Sequence, residues 1–269
     1  MAILTPDRVF TCNGVTINEY LLTTNNPFHI DMPTSKMNDV IGVTIHNTDW
    51  ITVTSNTTPA EQYTRATVAG NMNDVRVHYY VDDKCAWQNL PHNRAGWHAA
   101  DGSGDGNRKT IAIECIMSDK YNNRDKASEV NCARLAAWIL NELNLDITHL
   151  YTHTHWLNVK DGKKGSVDYL NTLPNNWKNC PAYILPHWEK FKQMVEDYMD
   201  ELANGNVVNS GESFVTLKIG TAIYPKAGKN TSMCGLITSS GVYTIIEIRT
   251  INNVRWGLLK NGRGWIRMK

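Results

Sequence analysis

Val40-Ile41-Gly42-Val43-Thr44-Ile45 is a nearly unbroken apolar run that ends on His46 and gives way to polar Asn47 and Thr48. A short run of this kind predicts a buried strand that delivers one imidazole at its C-terminal end. Thr110-Ile111-Ala112-Ile113-Glu114-Cys115-Ile116 repeats the pattern, interrupted by a single acid. Residues 147–151 predict a third strand leading into His153, and residues 76–81 and 85–90 a hairpin turned by Asp82-Asp83-Lys84. Helical patterns fall between these strands. Thr58-Pro59-Ala60-Glu61 reads as an N-cap, a proline at the first helical position and a first-turn acid, opening a helix that stops near Gly70. Val130, Leu135, Trp138, Ile139 and Leu143 share a stripe over 128–143, and Ile184, Trp188, Phe191, Val195 and Tyr198 share one over 182–202. Residues 1–39 are turn-rich and predict a leading arm or first strand, and residues 92–109 predict a loop holding four glycines.

Strands alternating with helices predict an α/β fold, a mixed sheet flanked by helices. Residues 203–213 are small and polar and read as a linker. Beyond it, residues 214–219, 222–224, 242–250, 255–259 and 264–268 are short strand-like runs between glycine turns, which predicts a small all-β barrel. The expected organisation is therefore one domain over 1–202, a linker over 203–213 and a β domain over 214–269. Charge divides along the same line. Residues 1–202 hold 18 Lys and Arg against 24 Asp and Glu, whereas residues 214–269 hold 9 Lys and Arg against the single Glu247. The strongly basic second part predicts an anionic partner, with nucleic acid among the candidates.

Six cysteines without a C-x-x-C pair, in a chain long enough to build a core, argue against a disulfide framework and for synthesis in a reducing compartment. The first residues, Met1-Ala2-Ile3-Leu4-Thr5-Pro6-Asp7-Arg8, lack an apolar segment of secretory length, and no apolar run reaches membrane-spanning length. The expectation is a soluble protein made in the cytoplasm. If it acts outside the membrane, another agent must release it.

The residues able to carry chemistry follow from these elements. His46, His153 and Cys180 offer two imidazoles and one thiolate, a set that leaves a fourth position open on tetrahedral zinc. A lone strand-end histidine is more often an inert hydrogen-bonded residue; here two such strands can converge on one point. His155 competes with His153, because residues two apart on an extended chain face the same way. Cys180 precedes an expected helix, whose N-terminus favours the thiolate. Glu114 inside an apolar strand is costly unless paired or working, and reads as a general base or as half of a buried ion pair. Lys178, two before Cys180, reads as a stabiliser of an oxyanion or as an exposed lysine. Trp97 and His98 read as the wall of a substrate groove, or as a packed lid beside a solvated histidine. A cysteine peptidase pairing Cys180 with a histidine would need no metal.

Taken together, these residues resemble the type-2 N-acetylmuramoyl-L-alanine amidases, the zinc fold shared with peptidoglycan recognition proteins and many phage endolysins. The resemblance covers roughly residues 38–200 and rests on Ile45-His46-Asn47-Thr48, Val77-His78-Tyr79-Tyr80-Val81-Asp82, Trp97-His98-Ala99, Ile111-Ala112-Ile113-Glu114, Thr152-His153 with Trp156, and Lys178-Asn179-Cys180-Pro181. It implies Zn2+ on His46, His153 and Cys180, Glu114 as base, Lys178 assisting the transition state, and bacterial peptidoglycan as substrate. Some members use a tyrosine just before the hairpin histidine; Val77 stands there, which adds weight to Glu114. The tail from about Phe214, with Val254-Arg255-Trp256-Gly257-Leu258 and Gly264-Trp265-Ile266, resembles a bacterial SH3 domain, which implies wall binding rather than nucleic-acid binding. One departure is the 27-position gap from His153 to Cys180, longer than the family's, which predicts a surface excursion over 157–177 at the groove rim. The resemblance also implies a phage or prophage lysin released through a membrane pore, with a non-catalytic peptidoglycan-binding module as the alternative.

Overall fold

The computed structural model describes residues 4–22, 36–37, 39–48, 57–162, 164–165, 179–203, 209–228, 232–251 and 254–268. Lys178 lies outside the described residues, as does most of the expected excursion before it. The chain divides into two compact units, Met1–Tyr198 and Met199–Lys269.

The first unit is built from β1 (Arg8–Cys12), β2 (Val15–Glu19), β3 (Gly42–Asn47), α1 (Pro59–Val68), β4 (Tyr79–Val81), β5 (Ala86–Gln88), α2 (Asp105–Lys109), β6 (Thr110–Cys115), α3 (Asn123–Glu142), β7 (Leu150–Thr152), α4 (His153–Lys160) and the greater part of α5 (Trp188–Ala203). The seven strands form one mixed sheet in the order β1-β2-β5-β4-β6-β3-β7. β3 lies at its heart, parallel to β6 on one side and β7 on the other, and all six of its residues are buried. Burial on both faces explains its continuous apolar character. Gly42 permits the tight fit to β7, since a Cβ there would sit 2.1 Å from the His149 carbonyl oxygen.

Helices cover both faces. Cys115 lies on the face of β6 that packs against α3, near Cys132, whereas Ala112 packs with Tyr80 and with Ala60 of α1. Positions three apart on a strand point to opposite faces, so α3 and α1 lie on opposite sides of the sheet. Thr44, His46, Thr110 and Glu114 share the α1 side with Ala112. Thr44 and Thr110 meet there, hydroxyl to hydroxyl at 2.7 Å, and Trp156 of α4 donates its indole N–H to Thr44 at 2.8 Å.

Several boundaries differ from the sequence expectation. The leading arm is a β1–β2 hairpin turned by Asn13 and Gly14, both left-handed with φ of 44° and 79°. Asn-Gly favours this hairpin turn. α1 begins as expected, with Thr58 Oγ1 accepting the Glu61 amide at 3.2 Å. α3 starts earlier than 128, because Asn122 and Asp125 form a reciprocal capping box. α2 occupies the end of the expected glycine-rich loop. Residues 147–149 form a 3-10 turn, so β7 is shorter than the expected strand. Another 3-10 turn, Leu185–His187, precedes α5, which therefore starts at Trp188 rather than near 182.

The second unit holds β8 (Asn209–Leu217), β9 (Ala222–Ile223), β10 (Gly235–Leu236), β11 (Gly241–Ile251), β12 (Val254–Leu259) and β13 (Trp265–Met268). β8 begins inside the stretch expected as linker. Its four-stranded antiparallel sheet runs β13-β12-β11-β8, and β9 and β10 form a separate ribbon joined to it by the Tyr224–Trp265 bridge. Leu217, Ile223, Ile237, Ile245, Leu259 and Ile266 make one core cluster, and Ala227, Trp256 and Trp265 a second. All six cysteines are free thiols; Cys234 is exposed and the other five are buried.

Candidate active site

Three elements of the central sheet converge on one point. His46 is the penultimate residue of β3, and its direct cross-strand partner on β6 is Glu114. Ile45 pairs with Thr152 on β7, which places His153 one step beyond. His153 does not end a strand as expected: it is the first residue of α4, with Thr152 as N-cap accepting the His155 amide at 3.0 Å. The choice between His153 and His155 changes with this geometry. Two residues on a helix point about 200° apart. His155 turns away, with its ring near those of Tyr151 and Trp156.

Cys180 arrives from far along the chain and is buried beside the two imidazoles. One ligand atom each from His46, His153 and Cys180 lies within 4.8 Å of the others. Cys180 Sγ is 3.9 Å from His46 Nδ1, and Glu114 Oε1 is 4.0 Å from the same nitrogen. Tetrahedral zinc with nitrogen and sulfur ligands spaces its donors about 3.5 Å apart, so this set fits after small adjustments. Burial pushes the His46 pKa well below its ordinary value, reinforced by the nearby His153 and His98. The neutral imidazole so favoured is the form that ligates a metal.

Cys180 is not at a helix start, since α5 begins only at Trp188. Its backbone is held instead by Thr154. The Cys180 amide donates to Thr154 Oγ1 at 2.8 Å, and the Thr154 amide donates to the Cys180 carbonyl at 3.1 Å. Asn47 makes a comparable link. Its side-chain amide donates to the Cys115 carbonyl at 3.0 Å, while its oxygen accepts the Tyr183 amide at 2.9 Å.

The Glu114 side chain is mostly buried, at 16% exposure. His98 and Trp97 behave differently from each other. Trp97 is 42% exposed. His98 is buried, and its Nδ1 lies 3.1 Å from His46 Nε2. That contact joins His98 to the back of His46. Asn107 fixes the loop, accepting the His98 and Ala99 amides at 2.7 Å each, and Asp101 in turn accepts the amides of Gly106 and Asn107. His78 has a scaffold role. Its Nδ1 accepts the Ala112 amide at 3.0 Å and its Nε2–H donates to the Arg94 carbonyl at 2.8 Å; burial pushes its pKa down to about 3.

Sequence reasoning found His46, Glu114, His153 and Cys180, which the fold brings together. It missed Asn47, Thr154 and Asn107. The available signal was a polar residue directly after each of two candidate ligands, in a strand and helix start otherwise committed to the core.

The N-acetylmuramoyl-L-alanine amidase domain family matches residues 36–182, more than half of the chain. The chain belongs to that family. The unit built around β3 is accordingly an amidase. It is 29% identical over 197 residues to the N-acetylmuramoyl-L-alanine amidase CwlA of Bacillus sp, covering 68% of each chain. It is 30% identical over 179 residues to CwlA of Bacillus subtilis (strain 168), covering 65% of this chain and 56% of that one. Among solved structures it resembles the catalytic domain of XlyA, with a TM-score of 0.53 and 25% identity over 67% of this chain and 99% of that one. PlyL is similar at a TM-score of 0.52 and 27% identity, covering 67% of this chain and 96% of that one. These matches speak for the amidase unit and leave the β unit to its own residues. Among the described residues, no helix is long and apolar enough to cross a membrane.

Proposed function

We propose that this chain is a zinc-dependent amidase of the endolysin type. It cleaves the amide between the lactyl group of N-acetylmuramic acid and L-alanine in bacterial peptidoglycan. The observation that carries this reading is the meeting of His46, His153 and Cys180 within 4.8 Å, with Glu114 directly across from His46 on the neighbouring strand. His46, His153 and Cys180 would hold the metal. Bound zinc supplies Lewis acidity, acidifying water and polarising the scissile carbonyl.

Glu114 removes a proton from the attacking water as its oxygen bonds to the carbonyl carbon. When the C–N bond breaks, Glu114 returns that proton to the departing amine. The products are a free lactyl carboxylate and a peptide with a new L-alanine N-terminus. Lys178 is assigned to stabilise the tetrahedral oxyanion. Trp97 contacts substrate through its exposed face. His98, expected as a groove wall, instead orients the His46 ring, because it is buried and bonded to it.

The β unit is assigned as an SH3-like wall-binding domain. Lys218, Arg255, Lys260, Arg263 and Arg267 are exposed on it and suit anionic wall polymers. Synthesis in a host cytoplasm and release through a membrane pore complete the reading. The test is zinc analysis of the purified protein beside a lysis assay with Glu114→Gln. Retained zinc, lost lysis and new amino termini without new reducing ends support the assignment. Wall binding with no amine release by the wild type would make it a recognition module instead.

A further inference from the structure

The sulfur donor poses a positioning problem. Cys180 is 27 positions beyond His153, yet a useful metal site needs its donors held to about half an ångström. A chain path of that length leaves many arrangements open. The bonds that fix Cys180 come from elsewhere, and their sources share a pattern. Thr154 follows His153, and Asn47 follows His46.

Thr154 is fully buried at the second position of α4, where the helix leaves amide N–H groups without helical partners. It gives its amide to the Cys180 carbonyl and takes the Cys180 amide on its hydroxyl, so both backbone groups of Cys180 are engaged. The Thr154 hydroxyl also donates to that carbonyl, at 3.1 Å. Asn47, at the end of β3, takes the Tyr183 amide three residues downstream while anchoring itself on the Cys115 carbonyl beside Glu114.

We propose that Thr154 and Asn47 form a two-point clamp that registers Cys180 against both ligand imidazoles, so that the sulfur's place is set by the residues next to the histidines. Each is a positioning residue. The clamp accounts for how an intervening segment of this length leaves the donor set assembled. It rests on the reading of His46, His153 and Cys180 as metal ligands.

The test uses the full-length protein loaded with cobalt(II) or zinc. Wild type should show a thiolate-to-cobalt charge-transfer band; its absence overturns the ligand reading and the clamp together. Thr154→Val keeps the shape and removes the hydroxyl. It should weaken zinc roughly 10–100-fold by competition with a chromophoric chelator and diminish the band. Thr154→Ser should restore both to within about threefold of wild type. A folded Thr154→Val protein with wild-type zinc affinity and an unchanged band overturns the clamp while leaving the ligands in place. If Thr154→Val does not fold, the Asn47 pair decides. Asn47→Asp keeps the acceptor for Tyr183 and should hold zinc better than Asn47→Ala. Equal affinity in those two variants overturns the clamp.

Discussion

The two units of this chain differ most in what they bury. Among the described residues, every buried polar or charged side chain, from Thr44 to Asn158, belongs to the first unit. The buried residues of the second are all apolar, among them Ile245, Trp256, Leu259 and Ile266. All nine histidines also lie in the first unit. Burying a polar group is costly unless it is bonded, so each such group must find a partner that fixes it. The first unit uses these partners to hold a few reactive atoms still. Arg255, Lys260, Arg263 and Arg267 of the second are exposed, as are Phe214, at 70%, and Val242, at 68%, on the same face of the β8–β11 pair. One unit is organised around an interior and the other around a surface.

The sharpest way to break that contrast is to disable the interior alone. Removing the metal with a chelator, or replacing Cys180 with Ala, should abolish lysis while leaving attachment to wall intact. Glu114→Gln should retain zinc and lower turnover by roughly 10²–10⁴-fold, read as amine release from purified wall. Loss of wall attachment in either protein would join the two functions that the contrast separates.

Acid should separate the units next. The His78 pKa is pushed down to about 3 and that of His92 to about 4, both by burial. Between the ordinary histidine value and those values the unfolded chain binds protons that the folded one refuses. The resulting stability is complete above about pH 6.5 and lost as pH falls toward the depressed values. For His78 alone the loss is on the order of 4 kcal/mol by pH 3. Thermal melts taken between pH 7 and pH 4 should show the first unit weakening over this range. The second unit has no histidine to drive such a change. A joint decline of both transitions would remove the distinction.

Smaller effects sharpen it further. Exchanging Arg255 and Arg267 for Gln should lower wall binding a few-fold and flatten its salt dependence, with turnover on a soluble fragment unchanged. Thr58→Ala removes the α1 cap and should cost the first unit about 1 kcal/mol in denaturant melts, with turnover again unchanged.

What was legible in the sequence was what is local. The apolar runs of β3 and β6 and the Thr58-Pro59 helix start carry their signals within a few residues. The donor set was legible because residue chemistry narrows the choice to a few histidines and cysteines. The rest depends on partners far apart in sequence. His153 could not be placed on a helix from its neighbours, since Thr152 serves equally as the end of a strand and as a cap. The bonds of Asn47 to Cys115 and Tyr183 join three distant segments, and no spacing rule anticipates them. The burial of His98 was hidden for the same reason: the ring it meets, His46, is 52 positions away.

The thiols offer a practical handle. Five are shut inside and Cys234 alone meets solvent, on the unit without the reactive donors. A maleimide dye should therefore attach once per chain, far in sequence from Cys180. Labelled protein would let individual molecules be followed on a cell surface while the hydrolytic machinery runs untouched.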